Sequence, residues 1–161
     1  MTDNHTKKKA AIVVCFPSQA RFFLIKHLEV LSENYDVSLI LNYRDYKDNL
    51  DFVPNNVSVI NIPIVRSINL FSDFYVMGTL LRLFKINKYH LVFSVSPKAG
   101  LLSMISAYFA KTPHRIHYFT GQVWATKKGL LRILLKKMDR LTSIFSTNIF
   151  IDSKSQKKYL I

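Results

Sequence analysis

Apolar and polar positions along this chain alternate between two textures: short continuous apolar runs, and longer stretches in which apolar residues return every three or four places. Ala10 to Phe16 is a continuous apolar, β-branched run, which predicts a central parallel strand covered on both faces. Pro17 and Ser18 break it. From Gln19 to Glu33 the apolar residues Phe22, Phe23, Ile25, Leu28, Val30 and Leu31 fall near helical spacing, with Lys26, Glu29 and Glu33 between them, and Asn34-Tyr35 ends the pattern. Asp36 to Asn42 reads as a second strand and Val57 to Ile62 as a third, separated by a polar loop. Leu70 to Ile86 has the length and pattern of a crossover helix, and Leu91 to Val95 is a fourth strand. A helix over Lys98 to Ala110, a fifth strand over Arg115 to Phe119, a long helix over Lys127 to Phe145 and a sixth strand over Asn148 to Ile151 complete the sequence of elements. Ser153 is placed to cap one more helix starting near Ser155.

Strands alternating with helices, joined by connections long enough for right-handed crossovers, predict an α/β fold: a doubly wound, mostly parallel sheet of about six strands with helices on both faces. The expected organisation is a flexible basic N-terminus over residues 1–9 and one domain over 10–161. In such folds ligands bind beyond the carboxyl ends of the strands. The turns at Ser96-Pro97-Lys98-Ala99-Gly100 and Thr120-Gly121-Gln122-Val123-Trp124 both follow predicted strands, so both lie on that edge.

Composition narrows the picture. A chain of 161 residues, 49% hydrophobic, is long enough for one sizeable core and too apolar to be disordered. The single Cys15 has no intrachain disulfide partner and lies in an apolar run, which points to a buried thiol in a reducing compartment. Lys7-Lys8-Lys9 resembles the basic flank of a signal peptide, but the apolar run after it is short and lacks a small-residue cleavage pattern. The longest uncharged apolar helix candidate, Ala99 to Ala110, would be about 18 Å long, too short to span a bilayer. A cytoplasmic protein is expected.

The formal net charge is +13, and from Lys111 onward there are eleven Lys or Arg against only Asp139 and Asp152. The positive field is therefore concentrated in the C-terminal third, which should face an anionic partner. On a helical wheel for Lys127 to Leu141, Leu130, Leu131, Leu134, Leu135, Met138 and Leu141 share one arc while Lys128, Arg132, Lys136 and Arg140 share another. That basic arc is either a solvated face or a contact for an anionic membrane. Nucleic acid is not an expected partner, because the chain has no glycine-rich phosphate loop, RNA-binding aromatic signature or zinc-finger cysteines.

Candidate chemistry gathers on the two turns. Pro97 suits a first helical turn, where free N–H groups and the helix dipole favour an anion; Lys98 is either a further point charge there or a solvated lysine on a capped helix. Thr120, Gly121 and Gln122 supply a hydroxyl, a permissive backbone position and an amide, and Trp124 offers either a flat face for a sugar ring or a core side chain. His114 and His117 are three apart in a strand and so face opposite sides, which excludes chelation of one ion by the pair in a regular strand, and no metal site is expected. Asp45, Asp48 and Asp51, interleaved with Arg44 and Lys47, read as a solvated loop.

The segments FFLIKHL, SPKAGLL, RIHYFTGQVWATKKGLL and FIDSKSQKKYLI together give the chain a family resemblance from about Ala10 to Ile161. It resembles the N-terminal domain of family 4-like glycosyltransferases of the GT-B fold, especially bacterial surface-polysaccharide enzymes. The resemblance implies two Rossmann-like domains facing across a cleft, the first binding mainly the acceptor, often a polyprenyl-diphosphate-linked sugar at the inner membrane, and the second binding a nucleotide-sugar co-substrate. Only the first is expected in this chain. The family's donor-side glutamate pair has no counterpart, since Glu29 and Glu33 are the only glutamates. Many relatives carry histidine where Thr120 stands, so contact with acceptor or donor is the implied role of Thr120, and catalysis the weaker one. By the same resemblance Ser18, in the loop after Phe16, and Ser96, Lys98, Gly100, Thr120, Gly121, Gln122 and Trp124 are the expected substrate-binding residues.

Two functions follow as expectations. One is the acceptor-binding half of a glycosyltransferase, peripheral at the inner face of the cytoplasmic membrane, working with a donor-binding domain supplied by a longer chain or a separate subunit. The other is a non-catalytic relative that binds an anionic membrane or a glycan. No cofactor beyond the nucleotide-sugar is implied.

Overall fold

The structure is a computed structural model and describes residues 7–46 and 49–152. Six strands form one parallel sheet: β1 (Lys8–Val13), β2 (Tyr35–Leu41), β3 (Ser58–Asn61), β4 (Leu91–Val95), β5 (His114–Phe119) and β6 (Asn148–Ile151). Their order across the sheet is β3-β2-β1-β4-β5-β6, and every pairing is parallel. Order therefore reverses between β1 and β4, where the doubly wound rule places a ligand.

The predicted sheet is present, with shifts at the strand ends. β1 begins at Lys8, and Lys8 and Lys9 pair with Tyr35 and Asp36, so these two residues belong to the sheet and not to a flexible N-terminus. The strand ends at Val13, yet Val14, Cys15 and Phe16 continue inward, with Val14 and Cys15 buried. Along β1 the side chains alternate between two cores. Ala11 and Val13 join Val76, Leu80, Phe84, Ala99, Met104 and Ala107 on one face, while Ala10, Ile12 and Val14 join Ala20, Leu24 and Leu28 on the other.

The helix predicted over Gln19 to Glu33 is two: α1 (Pro17–Phe23), starting two residues earlier, and α2 (Ile25–Asn34). Leu24 separates them with φ −126° and ψ −2°, although the hydrogen bonds Leu24 N–H to Ala20 O and Leu28 N–H to Leu24 O, both 2.8 Å, carry on across the break. Periodicity survives such a kink, so the pattern alone reads as one helix. α3 (Leu70–Asn87), α4 (Pro97–Phe109) and α5 (Gly129–Phe145) lie side by side on the opposite face. The cap of α3 is reciprocal: Asn69 accepts from Ser72 N–H at 3.2 Å and its own N–H donates to Asp73 at 3.3 Å. The helix expected after Ser153 lies outside the described residues.

α5 packs on α4 and on a 3₁₀ turn (Val123–Thr126), with little contact to the sheet. Its inward side carries Asp139 and Thr142, with Leu135 and Met138 half-buried. The apolar arc is therefore not absorbed by the fold: Leu130 is 85% exposed, and Leu131, Ile133, Leu134, Leu141 and Ile144 are exposed as well. No helix among the described residues is long and apolar enough to cross a membrane.

Candidate binding cavity at the carboxyl edge of the sheet

Beyond the ends of β1, β4 and β5 lies a cavity of about 430 Å³, within the range of ligand sites. Of the residues expected to bind substrate, Ser96, Lys98, Thr120, Gly121, Gln122 and Trp124 line it. Ser18 and Gly100 do not. Ser18 is half-buried in the first turn of α1, and the neighbouring Gln19 reaches the cavity instead, its amide oxygen accepting the Cys15 N–H at 3.1 Å. Gly100 faces away, under the imidazole of His117: a Cβ added at position 100 would lie 2.3 Å from Cε1 of that ring. Its lack of a side chain serves packing between α4 and β5.

The floor of the cavity is the β4–α4 junction. Ser96 is 4% exposed and holds φ at 77°, an uncommon value for a residue other than glycine, and its hydroxyl lies 3.3 Å from the Cys15 sulfur. Cys15 is buried as expected, and burial pushes its thiol above the usual pKa. Such a thiol stays protonated at neutral pH and is a poor nucleophile.

Lys98 is neither a bare point charge nor a solvated lysine. It is 7% exposed, pairs with Asp73 at 2.6 Å and donates to the carbonyl of Ser67. One ammonium thus ties α4 to α3 and to the segment carrying Arg66 and Ile68, which form one wall. The charge of Lys98 is largely spent on Asp73, and Arg66 is the exposed cation of that wall.

The opposite wall comes from the β5 loop and α5. Gly121 takes φ 146°, which glycine tolerates and other residues rarely adopt, and this lets the chain turn from Phe119 into the 3₁₀ turn. Of the two readings of Trp124, the core one holds: it is 1% exposed, and no stacking face is offered to a sugar. Its indole N–H donates to Asp139 at 2.8 Å, while Arg132 and Lys136 sit 5.7 and 5.5 Å from its ring. Asp139 is 4% exposed, and desolvation raises its carboxyl pKa to about 6 against the lowering effect of the indole bond. Lys128, Arg132, Lys136 and Arg140 are all exposed.

The two histidines do face opposite ways. His114 is exposed and meets His90 edge-on at 4.7 Å at the far end of the sheet, whereas His117 is fully buried with Nδ1 2.8 Å from the Ser94 hydroxyl. Burial holds its pKa down to about 3, so the ring is neutral, and its Nε2 lacks a hydrogen-bond partner among the described residues. In the acidic loop, Asp51 pairs with Arg21 at 2.7 Å and Asp45 accepts from Asn42, as a solvated loop allows; Asp48 lies outside the described residues.

Sequence reasoning missed Cys15, Gln19, Arg66 and Asp139 as cavity residues, and it missed an apolar rim. Ile68 lines the cavity, and the adjoining first turns of α3 leave Leu70, Phe71, Phe74 and Tyr75 exposed, Phe71 at 91%. A long apolar helix reads as a buried crossover; only its placement shows this end unpacked.

Fold and cavity together define the class: a Rossmann-like α/β domain of the kind found in GT-B proteins, with a cavity at the switch point of its parallel sheet. Over 96% of the chain the structure is similar to a Listeria monocytogenes protein described as a UDP-N-acetylglucosamine 2-epimerase (TM-score 0.71, 15% identity, 42% of that chain). It is also similar to MurG of Acinetobacter baumannii (TM-score 0.60, 14% identity, 89% of this chain and 41% of that one). No family model matches the chain. In sequence, 100 residues covering 62% of the chain are 35% identical to the capsular polysaccharide biosynthesis glycosyltransferase CapM of Staphylococcus aureus, 26% of that protein. The whole chain is 26% identical to the Escherichia coli UDP-Gal:alpha-D-GlcNAc-diphosphoundecaprenol alpha-1,3-galactosyltransferase, covering 42% of it. The resemblance to bacterial polysaccharide glycosyltransferases therefore holds, and the chain spans less than half the length of these curated relatives.

Proposed function

We propose that this domain is the acceptor-binding half of a glycosyltransferase. It would present a polyprenyl-diphosphate-linked sugar to a nucleotide-sugar held by a donor-binding domain, as a separate subunit or the remainder of a longer chain. The observation that carries the reading is the switch-point cavity, lined by neutral polar groups at Gln19, Ser96, Thr120 and Gln122, in a chain similar over its whole length to a galactosyltransferase whose acceptor is such a lipid. Neutral hydrogen-bonding groups suit a sugar, and Arg66 at the wall suits the diphosphate. Thr120 serves as a contact to sugar hydroxyls; a hydroxyl cannot carry a proton near neutral pH as imidazole does.

An acceptor of this kind is embedded in a bilayer, and two surfaces beside the cavity suit a peripheral site at the inner face of the cytoplasmic membrane. One is the exposed apolar start of α3; the other is α5, with Leu130, Ile133 and Leu134 exposed beside Lys128, Arg132, Lys136 and Arg140. Apolar side chains next to a basic stripe are the pattern of helices that lie in an anionic interface.

The test is transfer in trans. The chain, mixed with the donor domain of a similar full-length enzyme, a nucleotide-sugar and an undecaprenyl-diphosphate-linked N-acetylglucosamine, should yield a disaccharide-lipid by mass spectrometry. Absence of product with every donor domain tried, while the chain still floats with anionic vesicles, would leave membrane binding as its activity and sink the transferase reading.

A further inference from the structure

Asp139 is hard to account for by folding alone. It is 4% exposed, and among the described residues neither an ion pair nor any side-chain partner but the Trp124 indole meets its carboxylate. A buried carboxylate that accepts one hydrogen bond from a neutral donor costs stability. An asparagine would accept the same bond, at the same size, without charge. Arg132 and Lys136 are close by but engage the face of the indole ring. Burial has raised the carboxyl pKa to about 6, which still leaves it mainly ionised at neutral pH.

Position supplies the missing reason. Leu135, Met138 and Asp139 share the side of α5 that closes the cavity, and Asp139 is the one carboxylate among the described residues on its wall. The indole fixes Oδ2, so the other oxygen is held in orientation. A carboxylate so fixed accepts hydrogen bonds from neighbouring hydroxyls, and it does so more strongly than any neutral group around it.

We propose that Asp139 is the specificity-determining residue of this cavity: its carboxylate, oriented by Trp124, binds a pair of adjacent hydroxyls on a monosaccharide ring. This rests on the sugar-binding reading above and adds to it the group that selects the sugar. Ligands with vicinal ring hydroxyls are favoured, and an anionic group placed at that spot is repelled.

Trp124 is the chain's sole tryptophan, so its indole N–H gives one side-chain resonance at the site. Titrating the ¹⁵N-labelled chain with N-acetylglucosamine should shift that resonance saturably. In Asp139→Asn, which keeps the acceptor for the indole, the dissociation constant should rise at least about tenfold, as loss of a charged hydrogen-bond acceptor implies. Equal binding by the variant overturns the proposal and leaves sugar binding standing. No saturable shift in the unaltered chain overturns it too, while transfer to the lipid-linked acceptor is judged separately. One comparison needs no variant: tetrahydropyran-2-methanol, a pyran ring without ring hydroxyls, should not shift the resonance, and a shift as strong as the sugar's also overturns hydroxyl selection.

Discussion

At Gly100 the space for a side chain is already occupied by the His117 imidazole, and that one contact explains a glycine that looks functional from its neighbours. Gly100→Ala puts a methyl into the ring from a rigid helix, and overpacking of this kind costs about 1–3 kcal/mol; the urea midpoint should fall accordingly. Two of the buried titratable side chains, His117 and Asp139, pull stability in opposite directions with pH. His117 is neutral in the fold, with its pKa near 3, so the unfolded chain binds the extra proton and stability is lost as pH falls below the ordinary histidine value. Asp139, with its pKa near 6, holds its proton more tightly folded than unfolded, so its contribution is lost as pH rises from about 4 to 6. Asp139→Asn should therefore be more stable than the parent above pH 6, by roughly 2–3 kcal/mol at most, with the gain vanishing toward pH 4 in urea titrations at several pH values. A gain independent of pH would contradict the raised pKa.

Among the elements, the strands were legible because a parallel strand covered on both faces is a continuous apolar run, and β1, β2 and β4 are of that kind. The helices were legible in extent and less so in orientation. A helical wheel fixes the angles between side chains but not which side meets the body, and α5 turns Asp139 and Thr142 inward while Leu130 and Ile133 stay outside. Membrane contact, if it runs through this helix, then has two separable parts. Changing Lys128, Arg132, Lys136 and Arg140 to Glu should abolish flotation with anionic vesicles, since each basic residue near such a surface contributes about 1 kcal/mol. Changing Leu130, Ile133 and Leu134 to Ser should weaken it at low and high salt alike, because burial of apolar area is not screened. Flotation unchanged in both variants would remove α5 from the contact.

For the whole molecule, the alternation of strands and helices was enough to predict a doubly wound sheet, and the rule that ligands bind beyond the carboxyl ends of parallel strands pointed to the edge on which the cavity lies. The sequence could not show which lone polar residues converge there. Gln19, Arg66 and Asp139 come from three distant segments, and none belongs to a pattern that marks it. Burial, which one-dimensional spacing does not carry, decided between the two readings of Trp124 and set both readings of Lys98 aside. The ion pair of Lys98 with Asp73 has a larger consequence. It cancels the cation nearest the cavity floor in a protein of net charge +13, so most of the molecule's long-range attraction originates outside the pocket. On the function proposed above, delivery to an anionic surface and choice of ligand would be handled by different physics: the first would fade as ionic strength rises, while the second, made by short hydrogen bonds in a sheltered site, would stay nearly constant.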